Sequence, residues 1–178
     1  MSQVISVSRS PIHGFTKDVV DGIDLIPNHG VLGDCHAGPL VQHLYRVRKD
    51  PTAPNLCQVH LLQSELFDDL RPAGFHLVPG QIGENITTRG IDLLTLPVGA
   101  RLHLGPTAIV QITGLREPCS QLNRLSPGLM KACITRVDGS LVRKAGVMGI
   151  VLEGGKVAPD DPIEVVLPKG VWIKMGPV

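Results

Sequence analysis

The chain has 178 residues, a length that suits one domain over residues 1–178 with a substantial core. Hydrophobic residues make up 43% and charged residues 19%, which excludes a disordered chain, and the formal net charge of +1 argues against broad electrostatic capture of DNA, RNA or an anionic membrane. Only 3% of residues are aromatic, so platforms for stacking nucleic-acid bases are scarce, and the core must rest on Val, Leu, Ile, Met and Ala. No apolar run is long enough to span a bilayer and no charged-then-apolar leader opens the chain, so the expected location is the cytoplasm. In that reducing setting Cys35, Cys57, Cys119 and Cys133 read as free thiols.

In chain order, Val4 to Ser8 alternates apolar and polar residues, as a half-buried strand does. Ile23 to Ile26 forms a second strand candidate. From Gln58 to Leu70 the apolar residues Val59, Leu62, Leu66 and Leu70 recur at helical spacing, which predicts a helix ended by Pro72 and Gly74. The stretch Leu40 to Asn55, basic and then proline-rich, reads as a long loop. Further strands are expected over Arg101 to Leu104, Ala108 to Thr113, Val147 to Leu152 and Ile163 to Leu167. Gly105-Pro106, Gly154-Gly155 and Asp160-Asp161-Pro162 are the turns that punctuate them. Asp138-Gly139 marks a hairpin between Thr135-Arg136-Val137 and Leu141-Val142. Short helical turns are expected after Cys119 and around Gly128 to Ile134. The expected architecture is mainly β, a closed β-barrel with a few short helices, because closure removes sheet edges.

Chemistry concentrates at four places. Cys119 follows a strand and precedes a helical turn, with Arg116 and Arg124 nearby. A thiol in an electropositive setting of this kind can attack a sulfur donor, hold a persulfide or ligate a soft metal, whereas a buried thiol is merely a small hydrophobe. In Gly33-Asp34-Cys35-His36-Ala37-Gly38, the Asp34 carboxylate either orients a ring nitrogen of His36 or caps turn amides. Glu84 and Asn85, after the Pro79-Gly80 turn, either anchor a polar ligand or satisfy the turn. Arg143 and Lys144 either meet a phosphate or are solvated on a hairpin edge. Cys35, His36, His43, Cys57 and His60 also fall in one segment, but the paired short spacings of structural zinc sites are missing, and adjacent Cys35 and His36 are poorly placed to close one tetrahedron.

Taken together, Gly33-Asp34-x-His36-x-Gly38, Gln58-Val59, Gly83-Glu84-Asn85-Ile86, Pro118-Cys119 and Arg143-x-Ala145-Gly146-Val147 resemble the MOSC family, the domain named from the C-terminal part of molybdenum cofactor sulfurases. Pro79-Gly80, Leu96-Pro97-x-Gly99 and Gly154-Gly155-x-Val157-x-Pro159 fit the same pattern, so the resemblance runs from about Val7 to Leu167. It implies a β-barrel and a role tied to sulfur or to the molybdenum cofactor (molybdopterin), with Cys119 as sulfane-sulfur carrier or molybdenum ligand. It further implies Asp34, His36 and Glu84 as catalytic candidates, with His36 or Glu84 moving a proton. Arg116, Arg124, Arg143, Lys144 and Asn85 are cofactor-binding candidates. Relatives often carry Arg immediately before the Gln-Val pair, where this chain has Cys57, so Arg46 or Arg48 would have to replace that charge.

Two activities follow from the resemblance. One is reduction of a small N-hydroxylated or otherwise oxygenated substrate, with electrons from an external electron-transfer protein, since the chain has no ferredoxin-like cysteine cluster. The other is sulfur transfer from a cysteine desulfurase partner; the pyridoxal phosphate of such fused relatives would belong to that partner, because this chain has no room for the domain. The extra N-terminal region of the mitochondrial amidoxime-reducing relatives is likewise not expected. Outside these readings stand a non-catalytic barrel that binds a small anion or a protein, and a structural zinc protein built on the Cys35 to His60 segment.

Overall fold

A computed structural model describes residues 1–178. In chain order its strands and helices are β1 (Gln3–Arg9), β2 (Asp18–Val20), β3 (Ile23–Ile26), β4 (Gly30–Val31), α1 (Leu44–Lys49), β5 (Val59–Gln63), α2 (Glu65–Leu70), β6 (Ile86–Arg89), β7 (Arg101–Leu104), β8 (Ala108–Leu115), α3 (Leu122–Leu125), α4 (Leu129–Ala132), β9 (Ile134–Val137), β10 (Ser140–Arg143), β11 (Val147–Glu153), β12 (Gly155–Val157) and β13 (Ile163–Val166). The mainly β expectation holds, and the helices are short.

The expected closed barrel is not formed. Eight strands make one open, mixed sheet in the order β13-β7-β8-β11-β5-β6-β1-β2, and its two terminal strands do not pair with each other. β9 with β10, and β12 with β3 and β4, make two further small sheets. Only β5 and β6 run parallel. The physical reason for the open edge lies partly at Pro162. Where β1 meets the chain leading into β13 there is a single bridge, Gln3 with Pro162, and a proline has no N–H to extend a ladder. Isolated backbone bonds from Val4 N to Asp161 O, Asp160 N to Val4 O and Ile163 N to Ser2 O cover that edge instead.

The helix expected over Gln58 to Leu70 is two elements. Its first half is β5, a central strand between β11 and β6 in which Val59, His60, Leu61 and Leu62 are all buried. Leu61 packs into the main 20-residue core, whereas Leu62 points to a second cluster with Leu66, Phe67, Leu70, Ile82, Leu122 and Leu129. Burial on both faces erases the alternation that would identify a strand, leaving spacing that matches a helix by coincidence. α2 follows, and Gly74 at φ 90° ends the 3-10 turn Arg71–Ala73 in the left-handed region. The expected loop from Leu40 to Asn55 contains α1, which buries none of its residues and therefore carries no amphipathic signal. The β9–β10 hairpin is as expected: Val137 pairs with Ser140, and Asp138 and Gly139 both have positive φ.

Candidate functional site

A cavity of about 750 Å³ collects side chains from segments distant in sequence: His13, Phe15 and Lys17; His36; His43 and Arg46; Cys57 and His60; Asn85; Arg116, Glu117, Cys119 and Arg124; and Met148. Of the candidates read from sequence, it brings together His36, Asn85, Arg116, Cys119 and Arg124. It leaves out Asp34 and Glu84, which stand behind the wall. Arg143 and Lys144 line a different cavity of about 630 Å³ with Trp172 and Met175. There Arg143 Nε bonds Glu117 Oε2 at 2.6 Å, and Lys144 Nζ lies 3.9 Å from Asp69.

Cys119 is reached through β8. That strand pairs with β11 up to Leu115, and Arg116 N then donates to Gly146 O (3.0 Å), which keeps the departing segment against β11. Pro118 is buried, Cys119 is half-buried, and Cys119 O accepts from Leu122 N (3.1 Å) as the chain turns into α3. The expected helix therefore begins three residues beyond the thiol, and the local positive field comes mainly from side chains. The thiol donates a long bond to Gln121 Oε1 at 3.6 Å and lies beside the Arg116 guanidinium. Burial pushes the Cys57 thiol up and Cys133 up to about 11, and burial together with the Asp34 charge pushes Cys35 up. Cys133 is a core residue of the second cluster.

Arg116 faces Cys119 and lies over the Phe15 ring, 5.5 Å from its centroid. Burial pushes its guanidinium down from the ordinary value, while nearby Cys119, Cys133 and Glu84 pull it back up. Its Nη1 is buried without a hydrogen-bond partner. Arg46, Arg116 and Arg124 make no ion pairs, so the cavity has an excess of uncompensated positive charge. Arg46, projected by α1, also acts on Cys57, so of the two arginines expected to supply charge there it is Arg46 that stands near. Arg48 does not reach the cavity.

Behind this wall, Asp34 is the hub. Its fully buried carboxylate pairs with Lys17 Nζ (2.9 Å) and accepts from Ser10 N (3.2 Å), His36 N (3.0 Å) and Asn85 Nδ2 (3.1 Å). His36 Nδ1 lies 3.5 Å from the same carboxylate. Asp34 thus both caps amides and faces His36, so the two readings of the turn converge. Asn85 spends its remaining groups on Ser8 O and on His60 N, tying β1 to β5. Glu84 is wholly buried; Oε1 accepts from Gly80 N (2.7 Å) and Thr87 Oγ1 (3.1 Å), and Oε2 has no partner. Burial raises its carboxyl above the ordinary range.

The histidines divide by environment. His60 Nε2 donates to Ala145 O at 2.7 Å, and complete burial keeps the ring neutral. His43 is held down to about 3, chiefly by burial and then by neighbouring cations, and stacks on His36 with centroids 4.2 Å apart. Sequence reading did not single out Lys17, His13 or Phe15. Each is an isolated residue whose partner is distant in the chain, and no local pattern marks such a residue.

Gly146 packs against β5 next to Arg116, whose N–H its carbonyl accepts. It sits at φ 92°, and an added Cβ would collide with Leu61 O and lie 2.8 Å from His60 Nε2. Gly146→Ala is therefore expected to cost about 2–4 kcal/mol, from the left-handed backbone and overpacking together, read as a lowered urea midpoint at unchanged m.

A family model described as MOSC domain matches residues 43–164, more than half of the chain. No curated protein matches significantly in sequence. Among solved structures, the YUAD protein from Bacillus subtilis superposes with a TM-score of 0.73 at 22% identity, over 93% of this chain and 96% of that one. YiiM from Geobacillus stearothermophilus gives 0.65 at 23% identity, over 96% of this chain and 77% of its own. YiiM from Escherichia coli gives 0.60 at 22%, over 97% and 73%. At these identities the likeness is one of fold.

Proposed function

The chain belongs to the MOSC domain family, and from that premise we propose that it holds a molybdenum cofactor in the 750 Å³ cavity, with Cys119 as the thiolate ligand. The carrying observation is the buried, unpartnered Nη1 of Arg116 beside the Cys119 thiol. A buried donor without an acceptor is costly, and an anion in the cavity relieves it. The donor set fits such a group: one soft thiol for the metal, and Arg116, Arg46 and Arg124 for the negative charge of a pterin phosphate. Arg143 supports this from outside by pairing with Glu117, which neutralises the one carboxylate that lines the cavity.

When bound, the group supplies oxygen-atom transfer, a two-electron reduction of a small N-hydroxylated or otherwise oxygenated molecule fed by an external electron donor. The protein's part is to bind, orient and move protons. Cys119 presents its sulfur, and the guanidinium groups neutralise the anion. His36 lines the cavity with Nδ1 turned towards Asp34, which suits it to deliver a proton, and Asp34 is anchored by Lys17 and three N–H groups so that it does not move. His60 and Glu84, both buried, brace the wall.

A second reading draws on the thiol's freedom: it is half-buried and donates only a long bond, to Gln121. In that reading the Cys119 thiolate attacks the terminal sulfur of a desulfurase persulfide. The S–S bond of the donor breaks, the partner thiolate leaves, and Cys119 persulfide remains. The location consistent with either reading is the cytoplasm, and no helix is long and apolar enough to cross a membrane.

Arg116→Ala tests the cofactor reading. Produced in a cofactor-competent host, the variant is expected to retain roughly tenfold less molybdenum per chain than the parent, as expected when a charge-assisted contact of about 1.5–3 kcal/mol is lost. Equal molybdenum in parent and variant would remove Arg116 from the anion site.

A further inference from the structure

His13, Cys35 and His36 place one nitrogen or sulfur donor each within 4.8 Å of one another. They come from two segments, the turn after β1 and the turn after β4, and none of the contacts described for Cys119 involves them. The adjacent pair, expected from the sequence to be poorly placed for one tetrahedron, brings its donors close in space: Cys35 Sγ lies 3.4 Å from His36 Nδ1. Ligands at about 2.3 Å (sulfur) and about 2.0–2.1 Å (nitrogen) in a tetrahedron are about 3.5 Å apart, so these two atoms already have the required separation.

The surroundings prepare the rings for ligation. His13 Nε2 donates to Gln42 O at 3.0 Å, which fixes the tautomer and leaves Nδ1 with its lone pair free. His43 stacks on His36 at an interplanar angle of 21°, and His13 meets His36 edge-on with centroids 5.4 Å apart, so the His36 ring is held from both sides. His13 and His36 line the 750 Å³ cavity, so three protein ligands would leave a further coordination position near its rim.

We propose that His13, Cys35 and His36 form a binding site for a borderline-soft divalent cation of the zinc class, separate from the Cys119 position, and that the cation replaces the proton on His36 Nδ1, so that His36 either ligates it or delivers a proton but not both. The two-nitrogen, one-sulfur donor set excludes hard cations such as magnesium and calcium, which take oxygen ligands. Cys57 and His60 are not part of it: Cys57 is buried elsewhere in the cavity wall, and His60 commits Nε2 to Ala145 O. The site does not hold the fold together, because the 20-residue and 9-residue cores pack without it.

Cobalt(II) serves as the probe, since a thiolate–cobalt bond gives a charge-transfer absorption in the near ultraviolet. Titration of the full chain is expected to saturate this band at one cobalt per chain, equally in the parent and in Cys119→Ala. Cys35→Ser should abolish the band, and His13→Ala, on an exposed loop where folding is safe, should weaken cobalt binding at least about tenfold, since loss of even an outer-shell partner costs about 10- to 100-fold. Absence of the band in the parent overturns the proposal. So does a band that survives Cys35→Ser and disappears in Cys119→Ala, which would put the metal on the cavity thiol.

Discussion

Asp34→Ala is expected to lower stability by about 3–5 kcal/mol, the loss that follows when one member of a buried ion pair is removed and the other is left charged. The Lys17 side chain is 3% exposed, and the carboxylate that neutralises it is completely buried. Removing Asp34 also strips the acceptor from Ser10 N, His36 N and Asn85 Nδ2. Lys17→Met should cost less, because the carboxylate it leaves behind keeps those three donors. Urea unfolding of both variants at neutral pH checks the order; a smaller loss for Asp34→Ala than for Lys17→Met would contradict the account of Asp34 as the hub.

The same network has a defined pH dependence. Burial alone would raise the Asp34 carboxyl, but the His36 hydrogen bond and the Lys17 charge overcome it and hold the group well below the usual carboxylate range. A depressed carboxylate contributes stability that is complete above its unfolded value of about 3.9 and is lost as pH falls towards the folded value. The parent should therefore lose stability steeply on acidification below about pH 4, and Asp34→Asn should do so less steeply. Glu84 acts with the opposite sign: its raised carboxyl favours the folded state at low pH, and that contribution fades as pH rises through its folded value.

What could be read in the sequence was what local residues decide. Asp138-Gly139 specifies a hairpin because two positive-φ residues suffice, and Ile23–Ile26 alternates because one face of β3 is buried. β5 was hidden because its identity depends on neighbours on both sides, 25 and more residues away. Closure into a barrel was inferred from a general tendency, whereas the open edge depends on where Pro162 meets β1. In the site, Cys119 stood out through its place after a strand and beside arginines, and the motif order led to the family. The pairing of Lys17 with Asp34 and the joining of His13 to Cys35 and His36 are products of the tertiary fold, and no spacing in the chain announces them. Conversely, Arg143 and Lys144 adjoin a motif in sequence yet face another cavity, because β10 belongs to a hairpin that leaves the main sheet.

The second large effect concerns Cys119 itself. Metal affinity that depends on one thiolate should collapse when the sulfur is removed, while the fold persists, because the side chain is half-buried and lies outside both core clusters. Substitution of Cys57 or Cys133 should instead act on packing, as both are buried. The most direct measurement is the molybdenum content of the parent and of Cys119→Ala, both purified from a host that makes the cofactor and both checked for folding by circular dichroism. The account predicts close to one molybdenum per chain in the parent and almost none in the variant. Equal molybdenum in the two, or none in a parent purified from a host with abundant cofactor, would contradict it.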